Sequence, residues 1–157
     1  MTPKAMELAI AKAEKVGVGM VTIGNARHLG MASYHAMMPL QHDMIGVCMT
    51  SCPPGVVPTF GAEPRLGTNP IAFAAPAGKE PPFVFDAAMS TIAGNKLTLA
   101  SRMGNNLAPG WIAAEDGSPL MEESPPPEQG YGKVLTPLLP LGSNREMGSH
   151  KGYGLMA

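Results

Sequence analysis

The chain has 157 residues, with 11 Lys plus Arg against 12 Asp plus Glu for a formal net charge of -1, a length that suits one domain of ordinary size. So even a balance excludes the strong basic field of a dedicated nucleic-acid binder or of a protein held on an anionic membrane surface. Apolar residues make up 45% of the chain and charged ones 15%, so the 19 Gly and 17 Pro indicate a turn-rich α/β protein that can still bury a core.

Thr2 followed by Pro3 is a helix start, with a hydroxyl free to cap and a proline at the first helical position. Met6, Ala9, Ile10 and Ala13 recur at helical spacing, and Gly17 supplies a left-handed stop. Val18 to Ile23 reads as a buried strand covered on both faces, because apolar residues dominate it without clean alternation. A loop carrying Arg27, His28 and Gly30 leads into a helix from Ala32 to Met38, closed by Pro39. Met44 to Thr50 is a second buried strand, followed by a long loop in which Pro53, Pro54 and Pro58 exclude regular helix.

Ile71 to Ala75 and Phe83 to Asp86 are two further strands, separated by a Pro76-Ala77-Gly78 turn. Ser90 can cap a helix running to Met103, with Ile92, Leu97, Leu99, Ala100 and Met103 available for burial and Gly104 at its end. Asp116-Gly117 is a turn, and Ser124 to Gly130 is a Pro-rich surface loop. Gly148 to Leu155 looks like a glycine-bearing entry into a helix, yet the chain stops at Ala157. That ending reads as a fragment of a longer chain.

No run reaches the roughly 18 apolar residues of a membrane span, and the start is amphipathic, so a soluble, unexported protein is expected. Its two cysteines, Cys48 and Cys52, suit a reducing cytoplasm. With His42 they form no zinc-ligand spacing, and no metal is expected. Phosphate-loop, nucleophile-elbow and zinc-protease motifs are absent. Gly17-Val18-Gly19 precedes a strand where a dinucleotide fingerprint must follow one, which argues against an ordinary Rossmann fold.

Among the chemistry-bearing residues, His28 sits in a loop after a strand end, beside Asn25, Arg27 and Gly30. An imidazole there can give or take a proton near neutral pH, as carbonyl and alcohol chemistry requires; the plain alternative is a surface loop histidine. His35 falls on a helix surface, and His42 can cap or turn beside Asp43. Asp86 closes an apolar strand and can accept hydrogen bonds from a ligand or cap a helix. Lys151 offers a cation beside Gly152 and Gly154 at a helix N-terminus, a plausible phosphate site, although such runs also form plain solvated turns.

Taken in order, five motifs resemble one family: Asn25-Ala26-Arg27-His28-Leu29-Gly30 with Tyr34; Gly67-Thr68-Asn69-Pro70; Asp86 to Ser90; Gly110-Trp111 with Asp116-Gly117-x-Pro119; and His150 to Leu155. It is the type 2 malate/L-lactate dehydrogenase family, which also contains ureidoglycolate dehydrogenase, diketogulonate reductase and piperideine-carboxylate reductase. The resemblance implies an α/β fold with a mixed sheet, flanking helices and a non-Rossmann dinucleotide-binding domain. It implies an oxidoreductase using NAD or NADP on small 2-hydroxy or 2-oxo acids, as a homodimer in its full-length form.

By position, His28 matches the family's proton acceptor or donor. Ser51, Asp86, Ala87, Ala88 and Lys151 match positions that contact the dinucleotide, and Ser90 and His150 belong to the same two motifs. Ala26, Leu29 and Met89 depart from the family's usual residues and bear on pocket shape. Family members are longer, so residues 1–157 read as a central cofactor-binding portion, without the N-terminal segment that carries an arginine for the substrate carboxylate and without the C-terminal residues that complete the cofactor pocket. Arg27 and Arg65 are candidates for the carboxylate by charge alone. Two other readings stay open: a cyclic imino acid reductase using the same site, and a non-catalytic folded remnant whose 13 Met serve as core and interface fillers.

Overall fold

The structure, a computed structural model, describes residues 1–127 and 136–157. Its contacts divide the chain into two interleaved units, Met1–Thr50 with Pro70–Ala87, and Ser51–Asn69 with Ala88–Ala157.

In the first unit, helix α1 spans Thr2–Val16. Ile10 is buried and Met6, Ala9 and Ala13 are half-buried, which is the stripe that the spacing predicts. Gly17 ends the helix at φ 86°, and its N–H donates to the Ala13 carbonyl at 2.7 Å. Thr2 is the first helical residue and does not cap; Met1 holds that position without a side-chain bond.

The strand expected over Val18–Ile23 is absent. The segment lies along α1, where a Cβ on Gly19 would stand 1.9 Å from the Ala9 carbonyl oxygen, and no strand among the described residues pairs with its backbone. Apolar content alone does not make a strand, since the backbone must also find a ladder partner. Val18 and Met20 are 77% and 79% exposed, so the segment is not covered on both faces either.

Helix α2 covers Ala32–Ala36, two residues short of expectation, and Pro39 lies inside a 3-10 turn over Met38–His42 instead of ending the helical stretch. Strands β1 (Gly46–Met49), β2 (Ile71–Ala75) and β3 (Phe83–Ala87) form a sheet in that order. Both pairings are antiparallel, so the expected mixed sheet is corrected to an antiparallel meander. The register aligns Cys48, Ala72 and Asp86 on one face. There Cys48, Ala72 and Ala74 pack with Ala32 and Ala36 of α2. Small residues on both sides allow this close approach: a Cβ on Gly46 would stand 2.0 Å from the Ala36 carbonyl oxygen. On the other face Val47, Met49, Phe83 and Phe85 are exposed, so β1 is buried on one side only.

The second unit contains helices α3 (Asn95–Met103) and α4 (Ser149–Met156). Single β-bridges, including Val56 to Leu66 and Leu138 and Leu138 to Ile112, connect its irregular segments. Prolines remove the N–H groups that a continuous ladder needs, so these segments meet at isolated points. Val56, Val57, Met89, Leu107 and Leu138 are fully buried at this centre. The long loop after β1 therefore contributes core as well as surface. Helix α3 starts four residues later than expected and has Gly94, not Ser90, before it. Its Leu97 and Ala100 are buried, Leu99 and Met103 are exposed, and Gly104 closes it at φ 66°. The Pro-rich loop expected at 124–130 extends past the described residues at 128; Ser124 itself bridges to Leu107.

Candidate functional site

The residues singled out in the sequence divide between the two units. His28, Asp86 and Ala87 belong to the first, and Ser51, Ala88, Ser90, His150 and Lys151 to the second.

In the first unit, His28 is exposed in the loop before α2. The backbone N–H of Gly30 donates to its Nδ1 at 3.0 Å. A backbone amide can only donate, so Nδ1 carries a lone pair and the proton of the neutral ring is on Nε2. Asp86 serves the same end of α2: its Oδ2 accepts the Ser33 N–H at 2.7 Å, satisfying one donor of the helix's first turn. The capping alternative for Asp86 is thus realised, on the helix before it in space and not on the one that follows in sequence. Ala87 ends β3, half-buried.

His35 corrects an expectation. It is 5% exposed, not on a helix surface, and its Nε2–H donates to the Leu29 carbonyl at 3.0 Å, within the His28 loop. Its Nδ1 is buried with no hydrogen-bond partner among the described residues. A five-residue helix offers too little periodicity to reveal that inward face. His42 pairs with Glu14, Nδ1 to Oε1 at 3.0 Å. Cys48 lies under this sheet face, and burial first, then the Asp86 carboxylate, push its thiol pKa above the ordinary 9.0.

In the second unit, Ser51 is exposed and Ala88 half-buried. Ser90 is buried, and its hydroxyl donates to the Ile92 carbonyl at 2.7 Å. That bond shapes the turn ahead of α3, which makes Ser90 a backbone-holding residue. His150 and Lys151 stand exposed in the first turn of α4, and neither makes an ion pair among the described residues. Of the arginines proposed by charge, Arg65 is held by Glu63, while Arg27 is exposed.

A cavity of about 590 Å³ lies in the same unit, lined by Thr59, Phe60, Asp116, Arg145 and Ser149 among others. The Thr59 hydroxyl donates to Ser149 Oγ at 3.2 Å, and the Arg145 guanidinium lies 5.4 Å from the Phe60 ring centre. At its rim, the Ser118 hydroxyl and N–H both donate to Asp116, which holds that carboxyl below its ordinary pKa of 3.8. Nothing in the sequence singled out Arg145, because its partners are distant in the chain.

A family model described as malate/L-lactate dehydrogenase matches residues 1–157. The chain belongs to that family. It is 44% identical over 153 residues to a malate dehydrogenase of Pyrococcus abyssi, covering 97% of this chain and 40% of that one. An L-sulfolactate dehydrogenase of Methanocaldococcus jannaschii is 38% identical over 152 residues, with coverages of 97% and 40%. Among solved structures, malate dehydrogenase from Entamoeba histolytica superposes with a TM-score of 0.85 at 38% identity, covering 99% of this chain and 43% of that one. The chain thus spans about 40% of the length of the curated relatives it matches.

Relatives of lower identity bear names that specify chemistry: a sulfolactate dehydrogenase (NADP+) of Chromohalobacter salexigens at 31% over 76% of this chain and 36% of its own, and a ureidoglycolate dehydrogenase (NAD+) of Escherichia coli O157:H7 at 33%, with coverages of 96% and 39%. A pyrroline- and piperideine-2-carboxylate reductase of Pseudomonas putida is 34% identical, with coverages of 96% and 41%. Lys151 and Gly154 are both exposed on α4, and a Cβ on Gly154 would meet nothing within 4 Å. No helix among the described residues is long and apolar enough to cross a membrane.

Proposed function

We propose that this chain is the dinucleotide-holding and proton-handling part of an oxidoreductase that moves a hydride between NAD or NADP and a small 2-hydroxy/2-oxo acid. The observation that carries the reading is the exposed His28, its Nδ1 tied to the loop backbone and its Nε2 left for a ligand. The match of the family model over every residue supports it, as do relatives named for malate and sulfolactate, both 2-hydroxy acids. Ser51, Asp86, Ala87, Ala88 and Lys151 are proposed to hold the dinucleotide, with Ser90 and His150 shaping the same two segments. The parent enzyme is proposed to be a cytoplasmic homodimer, and the 157-residue piece alone to turn over little.

When bound, the nicotinamide supplies or accepts the hydride. The protein's part is the proton. A carbonyl that has gained a hydride is an alkoxide, and a His28 imidazolium can donate to it from Nε2. The imidazolium carries a proton on Nδ1 as well, so the Gly30 contact is already open when the ring acts as acid, and the neutral ring left behind is the Nδ1–H tautomer. Oxidation of the hydroxy acid runs the same steps in reverse: the ring reaches the Nδ1–H tautomer by releasing the Gly30 N–H, and Nε2 of that tautomer takes the hydroxyl proton. Lys151 supplies positive charge for a phosphate or a ribose hydroxyl.

A second reading is favoured by the imino acid reductase among the relatives: the same proton would go to a ring nitrogen. Offering oxaloacetate, pyruvate and a cyclic imino acid in parallel to the full-length parent enzyme, with NADH and with NADPH, separates the two. The proposal requires oxo-acid-dependent loss of reduced nicotinamide that His28→Ala lowers by about 100-fold or more with dinucleotide binding retained. Turnover of the imine alone moves the assignment to the second reading, and turnover indifferent to His28→Ala removes His28 from the chemistry.

A further inference from the structure

The Gly67-Thr68-Asn69 turn joins three separate segments of the second unit. Asn69 Oδ1 accepts the Cys52 N–H at 2.9 Å, and Asn69 Nδ2 donates to the Met156 carbonyl at 2.8 Å. Because an N–H only donates and a carbonyl only accepts, both partners dictate the orientation of this amide. One residue earlier, the Thr68 carbonyl accepts the Met89 N–H at 2.8 Å. The Met89 carbonyl accepts the Leu141 N–H at 2.8 Å. Leu141 in turn lies against α4, since a Cβ on Gly152 would stand 2.3 Å from the Leu141 carbonyl oxygen.

The turn leaves no slack. A Cβ on Gly67 would stand 2.2 Å from the Cys52 carbonyl oxygen and 2.5 Å from Asn69 Oδ1, and Asn69 itself has φ 29°, a conformation that Asn and Gly tolerate best. Cys52 adjoins Ser51, Met89 lies between Ala88 and Ser90, and Met156 ends the helix that carries His150 and Lys151.

We infer that Asn69 is a positioning residue: its side-chain amide holds the Ser51–Cys52 backbone to the end of α4 and thereby sets the spacing of the dinucleotide-holding segments. This rests on the proposed function, because it is that reading which gives the segments their ligand. The chemistry demands an amide. Aspartate would keep the acceptor for Cys52 but turn a second oxygen on the Met156 carbonyl, and alanine or serine is too short to span both.

The test is Asn69→Gly, which tolerates the backbone conformation and deletes the amide, with Asn69→Asp as the half-restored form. Amide hydrogen exchange by NMR is read at Cys52 and, as a core reference, at Leu107, alongside titration with NADH and NADPH. In Asn69→Gly the Cys52 amide loses protection, the Leu107 amide does not, and the dinucleotide dissociation constant rises about tenfold. Asn69→Asp restores Cys52 protection without restoring affinity. Equal acceleration at Cys52 and Leu107 reduces Asn69 to a general stabilising role and overturns the inference, as does wild-type affinity in Asn69→Gly. Absence of binding by the unsubstituted chain counts against the proposed function instead, and the exchange pattern then decides alone whether Asn69 fixes the segment.

Discussion

The carboxylate of Asp86, at the end of β3, accepts the backbone N–H of Ser33 at 2.7 Å across a sequence separation of 53 residues. One bond thus joins the last strand of the sheet to the start of the helix that follows the His28 loop, and α2, only five residues long, is too short to stand without tertiary support. Asp86→Ala should destabilise the protein by about 1 kcal/mol, as loss of a helix cap does. Asp86→Asn, which keeps an acceptor oxygen, should lose less than half of that. Urea unfolding measures both; equal loss in the two variants would mean that the charge and not the cap matters.

Contact between α2 and β1 depends on Gly46, whose missing Cβ leaves room for the Ala36 carbonyl oxygen 2.0 Å from where it would lie. The obstacle is backbone, which cannot swing aside as a side chain would. Gly46→Ala should therefore cost about 3 kcal/mol or somewhat more, whereas Gly24→Ala, where the added Cβ meets nothing within 4 Å, should be close to neutral. Thermal denaturation of the two variants side by side checks the contrast.

The two cysteines should differ in reactivity. Cys48 is 8% exposed, and burial, then Asp86, hold its thiol pKa above 9.0, whereas Cys52 is only half-buried. Alkylation of the native protein at pH 8 should mark Cys52 and reach Cys48 only after unfolding. The linkage has a definite sign. Above about pH 9 the unfolded thiol gives up a proton that the folded one keeps, so stability falls as pH rises from there through the folded pKa.

Asp116 titrates in the opposite sense. The Ser118 hydroxyl and N–H hold its carboxyl below 3.8, so whatever the turn gains from the charged form is present above the unfolded value and is lost as pH falls through the folded one. In Ser118→Ala the carboxyl should titrate closer to 3.8 by NMR, with the backbone bond still holding it lower. An unchanged titration would mean that the hydroxyl does not set it.

Elements closed by local chemistry were readable in the sequence. Gly17 and Gly104 stop their helices in the left-handed conformation, and Asp116-Gly117 makes its turn through bonds that span two residues. What depended on distant partners was not. Val18–Ile23 has strand composition but no ladder partner among the described residues, His35 turns inward on a helix too short to show a period, and Ser90 bonds within its own turn where a helix cap was expected. Interleaving of the two units at 50/51, 69/70 and 87/88 leaves no trace in composition. At the candidate site, His28, Asp86 and Lys151 were legible as residue types in motifs. Asn69 was legible only as a motif letter, because its partners lie 17 and 87 residues away.

Titration of the purified chain with NADH and with NADPH by nicotinamide fluorescence, with Lys151→Ala as control, tests the central claim most directly. Saturable binding that the substitution weakens by about tenfold, the scale expected for losing one charged contact, is the predicted result, and the tighter of the two ligands names the cofactor. Binding to neither, or binding indifferent to Lys151→Ala, would contradict the assignment of the dinucleotide to these residues.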